Sequence, residues 1–290
     1  MEAALMPPKP QTITGYSAAT TELAERVLLE VWSRLGAYRP HLVLVGGLVP
    51  RYLINQRTAQ PYLQGQPAAR HCGSMDVDLG ISLAVADLHA YRSIRDTLVG
   101  TLGFRPGTNP KGREQRHSFV TTIGGTDVNI DFLTTRYHGP DNSLLREMES
   151  ELSAIQVDGL GLALTDPLDV PVTGLRLAGG LTTELVRVCR PVPFVALKAL
   201  AYEDRREPKD AYDLVYLLTY FPGGAAVVAN LATDDERRAE AFQRALAALD
   251  HHFASPEHDG PGDCVSFNQD PAQRAPAFAA VQEFLRNLPK

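Results

Sequence analysis

The stretch Ser74-Met75-Asp76-Val77-Asp78-Leu79 decides what kind of fold this sequence predicts. Side chains alternate between the two faces of a strand, so Asp76 and Asp78 share one face if residues 75–81 form a strand. The intervening residues are apolar and predict that the opposite face is buried. Two neighbouring carboxylates repel each other, and hard cations such as Mg²⁺, which also bind phosphates, relieve that repulsion. The stretch therefore predicts a strand that carries a metal and phosphate site.

A third carboxylate lies in another alternating run, Val128-Asn129-Ile130-Asp131-Phe132-Leu133. This run follows the glycine turn Gly124-Gly125-Thr126, and the pattern predicts a hairpin of two strands, 117–123 and 127–134. Asp127 adjoins the turn and is interpreted as a turn residue. Asp131 is the better third acid, with the expected role of holding metal and accepting the proton of an attacking hydroxyl. Three acids on adjacent strands are typical of metal-assisted phosphoryl or nucleotidyl transfer.

A glycine pair stands about thirty residues before the two aspartates, in Val43-Leu44-Val45-Gly46-Gly47. The pattern predicts a strand at 41–45 and a second helix at 48–55, with Gly46 and Gly47 at the turn between them. Helix N-termini preceded by glycine expose N–H groups that bind phosphate, and the hydroxyl of Ser74 could contribute to the same cradle. Tight packing of the turn is the alternative interpretation of the glycine pair.

The rest of the chain predicts a mixed α/β region followed by a helical region. Residues 1–15 carry three prolines and predict a flexible arm, and an amphipathic helix begins at Ser17 and ends at Gly36. Further helices are predicted at 88–102, 194–206, 210–220, 233–253 and 275–288, short strands at 154–157, 160–164 and 175–178, and loops at 56–73 and 254–269. These elements predict a mixed-sheet domain over residues 1–190 and a helical domain over residues 191–290.

Composition narrows the function classes. The chain has 290 residues, a net charge of −6 and three cysteines, and no apolar run approaches the roughly 18 residues of a membrane span. The first eleven residues lack the apolar region of a secretion signal. The odd, scattered cysteines fit a reducing compartment, so we expect a cytoplasmic protein that does not bind membranes.

The net charge argues against non-specific coating of nucleic acid. Basic residues between 105 and 117 could still form a local patch, or simply a solvated surface.

Polar residues in the helical region form a second candidate group. Lys198 lies within the apolar helix Phe194-Val195-Ala196-Leu197-Lys198-Ala199-Leu200-Ala201, where a lysine is expected to snorkel or to meet an anion. Arg205 follows two turns later. Asp210 either caps the next helix or belongs to a site, whereas a cap does not explain Asp213.

These residues resemble a known family. The glycine pair, the Asp76 and Asp78 motif and Asp131 are similar to the DNA polymerase β-type nucleotidyltransferases. The segment from Leu197 to Leu214, with Lys198 and the Lys-Asp-x-x-Asp pattern, resembles the AbiEii-type (MenT-like) nucleotidyltransferase toxins. The resemblance implies a mixed sheet with helices and a helical half that closes over the nucleotide.

The resemblance also implies roles for the candidate residues. Asp76, Asp78 and Asp131 would hold Mg²⁺ in a two-metal site, and Lys198 would contact the triphosphate. Nucleotide-pocket or catalytic roles are implied for Arg205, Asp210 and Asp213. One departure is Cys72, which stands where the family often has an arginine; Arg70 could supply that charge instead.

The predicted reaction is transfer of NMP from an NTP to a hydroxyl acceptor. The resemblance implies the tRNA 3′ acceptor end as that acceptor, the toxin role in a toxin–antitoxin system, and a cognate antitoxin. A small-molecule acceptor, as in antibiotic nucleotidyltransferases, is the enzymatic alternative, and the acidic net charge favours it slightly. A protein that binds nucleotide or antitoxin without catalysis is the alternative from another class.

Overall fold

The structure is a computed structural model that describes residues 9–54, 71–82, 94–109, 111–136, 145–147 and 152–289, and the backbone of residues 62–63 and 66–67. The chain divides into two compact units, and each is described by itself. Unit 1 contains Lys9 and the described parts of Ser17–Gly47 and Gly73–Val188. Unit 2 contains Pro10–Tyr16, the described parts of Leu48–Cys72, and Cys189–Lys290.

The strands and helices follow one another along the chain, from α1 to α10 and from β1 to β11. Up to residue 188 they are α1 Ala18–Arg34, β1 Leu42–Val45, α2 Val49–Leu53, β2 Tyr62–Leu63, β3 Gln66–Pro67, β4 Asp76–Ile81, β5 Arg105–Thr108, β6 Glu114–Ile123, β7 Thr126–Thr135, β8 Leu145–Glu147, β9 Ser153–Val157, α3 Leu160–Thr165, β10 Leu168–Leu175 and β11 Leu181–Val188. Beyond residue 188 they are α4 Pro191–Arg205, α5 Pro208–Tyr220, α6 Gly224–Asn230, α7 Asp234–Arg238, α8 Glu240–His252, α9 Asp259–Asn268 and α10 Arg274–Asn287.

Unit 1 is built on one mixed sheet. Its strand order is β10-β11-β1-β4-β7-β6-β5, and β9 pairs with both β7 and β8. Strand β4 runs antiparallel to β1 and parallel to β7, so the strand with the paired aspartates lies in the middle of the sheet. The mixed α/β prediction is confirmed by this sheet and by the helices that accompany it.

Helix α1 covers one face of the sheet. Ser17 caps its first turn by accepting a hydrogen bond from the Thr20 N–H at 3.0 Å, as expected for serine at this position. Its residues Leu28, Val31 and Trp32 are fully buried, and the helix packs against β4, β7, β10 and β11. The apolar positions of β4 and β7 are buried as well, so their acidic positions lie on the other face.

Unit 2 is a helical bundle that brings α4, α5, α9 and α10 together. Its interior is apolar and aromatic, and includes the fully buried Phe194, Phe267 and Phe284. Residues from the start of the chain also belong to this unit: the ring of Tyr16 packs against that of Phe267, with a centroid distance of 5.7 Å. Residues 13–15, which the sequence predicts within a flexible arm, form a short 3₁₀ turn.

Several predicted elements are wrong, and each error has a local cause. The predicted strand at 160–164 is the helix α3, because a short apolar run does not by itself distinguish a strand from a buried helix. The predicted loop at 254–269 contains α9, in which Gly260, Cys264 and Phe267 are buried at helical spacing. Its Pro261 stands in the first turn, where proline is tolerated.

Two further differences concern element lengths. The helix predicted at 233–253 is two helices, α7 and α8, separated by Ala239 in an extended conformation. The hairpin of β10 and β11 was predicted only as a short strand at 175–178, a segment that overlaps the end of β10 and the turn leading to Gly179 and Gly180. The helix predicted at 88–102 is confirmed where the structure describes it, because residues 94–101 are helical; residues 88–93 lie outside the described residues. The loop predicted at 56–73 lies largely outside them as well, but its described residues include β2 and β3, which pair with each other.

Within the described residues, no single helix is both long and apolar enough to cross a membrane. Helices α5 and α6, bent by 94° to each other, have the necessary length and composition only when taken together.

Candidate active site

The three predicted acids lie on one face of two neighbouring strands. Strands β4 and β7 are parallel, with Asp78 opposite Asp131 and Asp76 opposite Asn129. Residues that stand opposite each other in register point to the same side of a sheet, and so do residues two apart on one strand. All four polar side chains therefore share a face, while Val77 and Ile130 enter the core on the other.

The turn after β1 lies directly against Asp78. Val45, the last residue of β1, pairs with Asp78, and Gly46 follows with a φ of +72°. A Cβ at residue 46 would stand 2.6 Å from Cγ of Asp78, so only glycine fits at this position. Two requirements therefore favour glycine at residue 46: its backbone is left-handed, and the Asp78 side chain approaches it closely.

The helix after the glycine pair is shorter than the sequence predicts. Residues Gly46–Leu48 form a 3₁₀ turn, and the following helix α2 covers only Val49–Leu53. Pro50 in its first turn has no N–H to donate. The turn is thus a weaker phosphate cradle than a long helix would provide.

Asp76 is buried and held by several neighbours. It is 7% exposed; its Oδ1 accepts a hydrogen bond from Asn129 Nδ2 at 3.2 Å, and its Oδ2 lies 2.6 Å from Lys9 Nζ. The backbone N–H of Asp76 donates to Ser74 Oγ at 3.4 Å. Ser74 therefore supports the acid strand locally. Gly73, with a φ of +86°, brings this segment against Thr21 of α1.

The surroundings of Asp131 perturb its protonation. Burial, followed by the nearby carboxylate of Asp78, raises the pKa of Asp131 to about 7. The hydroxyl of Ser118, which stands opposite Asp131 on β6, acts in the other direction. A bound cation would stabilise the ionised carboxylate of Asp131 and so offset both its loss of solvation and its repulsion from Asp78.

The acid face fits a divalent cation. Asp76, Asp78 and Asp131 offer carboxylate oxygens, the donors that Mg²⁺ prefers. The contact between Asp76 Oδ2 and the Lys9 ammonium group shows that the face already attracts positive charge. The residues present therefore suit the metal that the sequence predicts.

Unit 2 brings the other predicted residues together in a second charged cluster. The Lys198 ammonium group lies 2.8 Å from Asp210 Oδ1 and 2.6 Å from Asp213 Oδ2, with Lys198 only 8% exposed. Arg205 donates two hydrogen bonds to Asp210, at 2.7 and 2.9 Å. Helix α5 begins after Glu207, and the side chain of Asp210 contacts these basic residues rather than serving as the N-cap.

Asp213 is the most enclosed member of this cluster. It is fully buried and accepts hydrogen bonds from Lys209 Nζ at 2.8 and 2.9 Å, and its Oδ1 lies 3.0 Å from His71 Nε2. Although burial opposes ionisation, Lys198 and Lys209 hold the pKa of Asp213 well below its ordinary value. Burial lowers the pKa of His71 to about 4, so its ring is neutral and Nε2–H donates to Asp213.

His71 is the residue that sequence reasoning missed. Its only sequence signal is a position five residues before Asp76, and its partner lies 142 residues further along the chain. Ligand atoms of His71, Cys72 and Asp213 lie within 4.8 Å of one another, a spacing that could hold a metal. Two ammonium groups already bind Asp213, and burial raises the pKa of the Cys72 thiol to about 12, so this group disfavours a cation.

The structure thus places the predicted residues in two groups. Asp76, Asp78, Asp131, Gly46 and Ser74 meet in unit 1, as does Gly47, which follows Gly46. The members of the second group are Lys198, Arg205, Asp210 and Asp213 in unit 2. Arg70, the possible replacement for the missing arginine, lies outside the described residues.

Comparison with known proteins decides the family. The family model described as "Nucleotidyl transferase AbiEii toxin, Type IV TA system" matches residues 69–286, most of the chain. The chain belongs to the AbiEii family. The matched region includes both acid strands and the Lys198 cluster, and the predicted resemblance is confirmed. AbiEii proteins are nucleotidyl transferases, so the protein is assigned to that enzyme class.

Two solved structures are similar to this AbiEii protein at low identity. The solution structure of the antibiotic-resistance factor ANT(2'')-Ia shares 14% identity over 81% of this chain and 98% of its own, with a TM-score of 0.38. The STING-associated c-di-GMP synthase CdnE from Capnocytophaga granulosa shares 11% identity over 97% of this chain and 88% of its own, with a TM-score of 0.26. These scores are too low to establish a common fold. No curated protein matches the chain.

Proposed function

We propose that this protein transfers NMP from an NTP to the 3′ hydroxyl of a tRNA acceptor end, and acts as the toxin of a toxin–antitoxin system. The AbiEii family implies an NTP substrate and a cognate antitoxin. The observation that carries the proposal is the meeting of Asp76, Asp78 and Asp131 on one face of β4 and β7. The odd number of cysteines fits action in the cytoplasm.

The chemistry follows from the acid face. Asp76, Asp78 and Asp131 would hold divalent cations, which when bound supply charge for the triphosphate and acidify the acceptor hydroxyl. The hydroxyl oxygen attacks the α-phosphorus, and pyrophosphate leaves. Asp131, which stands opposite Asp78 on the same face, is proposed to accept the hydroxyl proton. Gly46 keeps the Asp78 carboxylate at the turn, and the turn and Ser74 line the phosphate side.

The Lys198 cluster is assigned to the nucleotide. Lys198 is proposed to contact the triphosphate, and Arg205, Asp210 and Asp213 to belong to the same pocket. Although burial opposes the charge, Asp210 and Asp213 keep the pKa of Lys198 above its ordinary value, so the ammonium group is charged at every relevant pH. Two carboxylates hold that ammonium group, which fixes its position before any phosphate arrives.

A basic hairpin supports an RNA acceptor. Residues 109–113 connect β5 to β6, and the side chain of Asn109 accepts hydrogen bonds from the backbone N–H groups of Lys111 and Arg113, each at 3.0 Å. The described residues of this turn thereby present two exposed cations, Lys111 and Arg113. From this turn, β6 leads to Ser118, which stands opposite Asp131. Exposed basic side chains at the end of β6, the strand that pairs with the acid strand β7, suit the phosphate backbone of an acceptor strand.

A transfer assay tests the proposal. The protein is incubated with Mg²⁺, each labelled NTP in turn, and either total tRNA or aminoglycosides. We expect labelled tRNA, with activity reduced at least about 100-fold by Asp76→Asn or Asp78→Asn, because each variant removes an anionic ligand of the cations that would stabilise the reacting phosphate. Asp127→Asn is the matched control, since Asp127 is the second residue of the same strand as Asp131 and forms an ion pair with Arg105 instead.

Each alternative outcome of this assay contradicts one part of the proposal. Full activity of Asp76→Asn, with normal folding, overturns the assignment of the acid site. Label on aminoglycosides but not on RNA overturns the acceptor. Tight NTP binding without pyrophosphate release overturns catalysis and identifies a nucleotide sensor.

A further inference from the structure

Lys9 is held against the acid face. Its Nζ lies 2.6 Å from Asp76 Oδ2, within unit 1, while 65% of its side chain is exposed. This ion pair places a positive charge directly on one acid of the proposed metal site.

The two oxygens of Asp76 have different partners. Oδ1 accepts the hydrogen bond from Asn129 Nδ2, and Oδ2 contacts Lys9. Asn129 lies on β7 directly opposite Asp76, so sheet pairing fixes the amide donor in place. An amide donor repels a cation, which leaves Oδ2 as the atom that Asp76 presents to positive charge.

We propose that Lys9 is the resident counter-ion of Asp76 and that a divalent cation binds this carboxylate by displacing the Lys9 ammonium group. The proposal rests on the proposed metal site at the acid face. A cation bound to Oδ2 at about 2.1 Å would stand next to the ammonium group, and the two positive charges would repel strongly. The side chain of Lys9 is largely exposed, so it can withdraw without unpacking the core. Lys9 thus sets the affinity of the site for metal.

Metal affinity is the first readout, and it needs no catalysis. Binding of Mn²⁺ alone is measured by electron paramagnetic resonance, in which free Mn²⁺ gives the signal, for the full chain and for Lys9→Met and Lys9→Arg. We expect Lys9→Met to bind Mn²⁺ about fivefold more tightly, the size of effect appropriate to a partly exposed ion pair. Lys9→Arg retains the charge and should bind Mn²⁺ nearly as the natural protein does. Equal or weaker binding by Lys9→Met would overturn the proposal.

The reactivity of Lys9 is the second readout. Brief acetylation followed by mass spectrometry measures how accessible each lysine amine is, and Lys111, exposed on the β5–β6 turn, is the internal reference. We expect Lys9 to react more slowly than Lys111 without metal, and to approach its rate when Mg²⁺ is added. In Asp76→Asn, which lacks the anionic partner, Lys9 should react at the faster rate with or without Mg²⁺. If Mg²⁺ leaves the acetylation rate of Lys9 unchanged in the natural protein, the proposal that the metal displaces Lys9 is overturned.

These outcomes separate the inference from the proposed function. If natural protein and Lys9→Met bind Mn²⁺ equally and Asp76→Asn does not bind it, the metal site stands and the role of Lys9 fails. If none of the three binds Mn²⁺ at millimolar concentration, the metal site and the role of Lys9 are both overturned. Transfer to tRNA plays no part in either decision.

Discussion

Gly46 and Asp78 are in such close contact that the sheet leaves no room for a side chain between them. The backbone of Gly46 has a φ of +72°, and a Cβ there would lie 2.6 Å from Cγ of Asp78. The glycine therefore determines where one of the three acids stands.

We expect Gly46→Ala to move the Asp78 carboxylate and to reduce nucleotidyl transfer at least about 100-fold, because misplacement by about 1 Å has an effect of that size. Gly103→Ala is the matched control: its φ is +71°, yet nothing lies within 4 Å of the new Cβ. Each variant should lose about 1–2 kcal/mol of stability from the left-handed backbone. Transfer rates and urea unfolding measure both effects. Equal activity of the two variants would contradict the role of Gly46.

Asn129→Ala removes the amide that holds Asp76 Oδ1. We expect Mn²⁺ affinity to fall by about 10-fold to 100-fold, the usual consequence of losing a partner that orients a metal ligand. This change is opposite in sign to that expected for Lys9→Met. The same resonance titration measures both variants, and tighter binding by Asn129→Ala would show that the amide opposes the metal instead.

The Asp213 carboxylate neutralises two lysines inside unit 2. We expect Asp213→Asn to lower the free energy of unfolding by about 3–5 kcal/mol, because it leaves buried ammonium groups unmatched. Lys198→Met should cost about half as much, since Asp210 retains Arg205 and Asp213 retains Lys209 and His71. Chemical denaturation measures both variants. A larger loss for Lys198→Met would mean that the lysine, not the aspartate, organises the cluster.

Burial of neutral His71 makes stability depend on pH. Its pKa is about 4 in the folded chain and about 6.5 in the unfolded chain, so the unfolded chain binds a proton between these values and the folded chain does not. Stability contributed at this residue therefore falls as the pH drops below 6.5. Between pH 7 and pH 5 we expect a loss of about 2 kcal/mol.

His71→Gln provides the test, because its amide can donate to Asp213 as Nε2–H does but does not titrate. Urea unfolding at pH 7 and pH 5 is compared for the two proteins. The variant should lose about 2 kcal/mol less than the natural protein over this range. The same pH dependence in both would show that His71 is not the group that titrates.

The β5–β6 turn should matter for RNA and not for NTP. We expect Lys111→Ala combined with Arg113→Ala to weaken RNA binding about 10-fold at low salt and to reduce the salt slope by about two, one for each lost phosphate contact. Arg238→Ala combined with Arg286→Ala is the control with the same change in charge, at two exposed arginines of unit 2. RNA affinity over a salt series and KM for NTP are measured. Equal effects of the two double variants would show that the turn affects RNA binding only through the net charge of the protein.

The sequence by itself determined those features of the fold that depend only on residues close together in the chain. Alternation along a strand places Asp76 and Asp78 on one face whatever the strand pairs with, and the apolar period from Ser17 determines helix α1. The same local reasoning failed at α3 and α9, where burial against distant residues decided between strand, loop and helix. Short apolar runs and segments rich in glycine and proline do not contain that information.

Tertiary structure alone decided which distant groups meet. Sheet register placed Asp131 opposite Asp78 and Asn129 opposite Asp76, and chain folding brought Lys9 to one acid and His71 to another. A local pattern fixes the direction of a side chain, because dihedral preferences act over a few residues. The partner across a sheet or bundle is set by how whole elements pack, and no single segment encodes it.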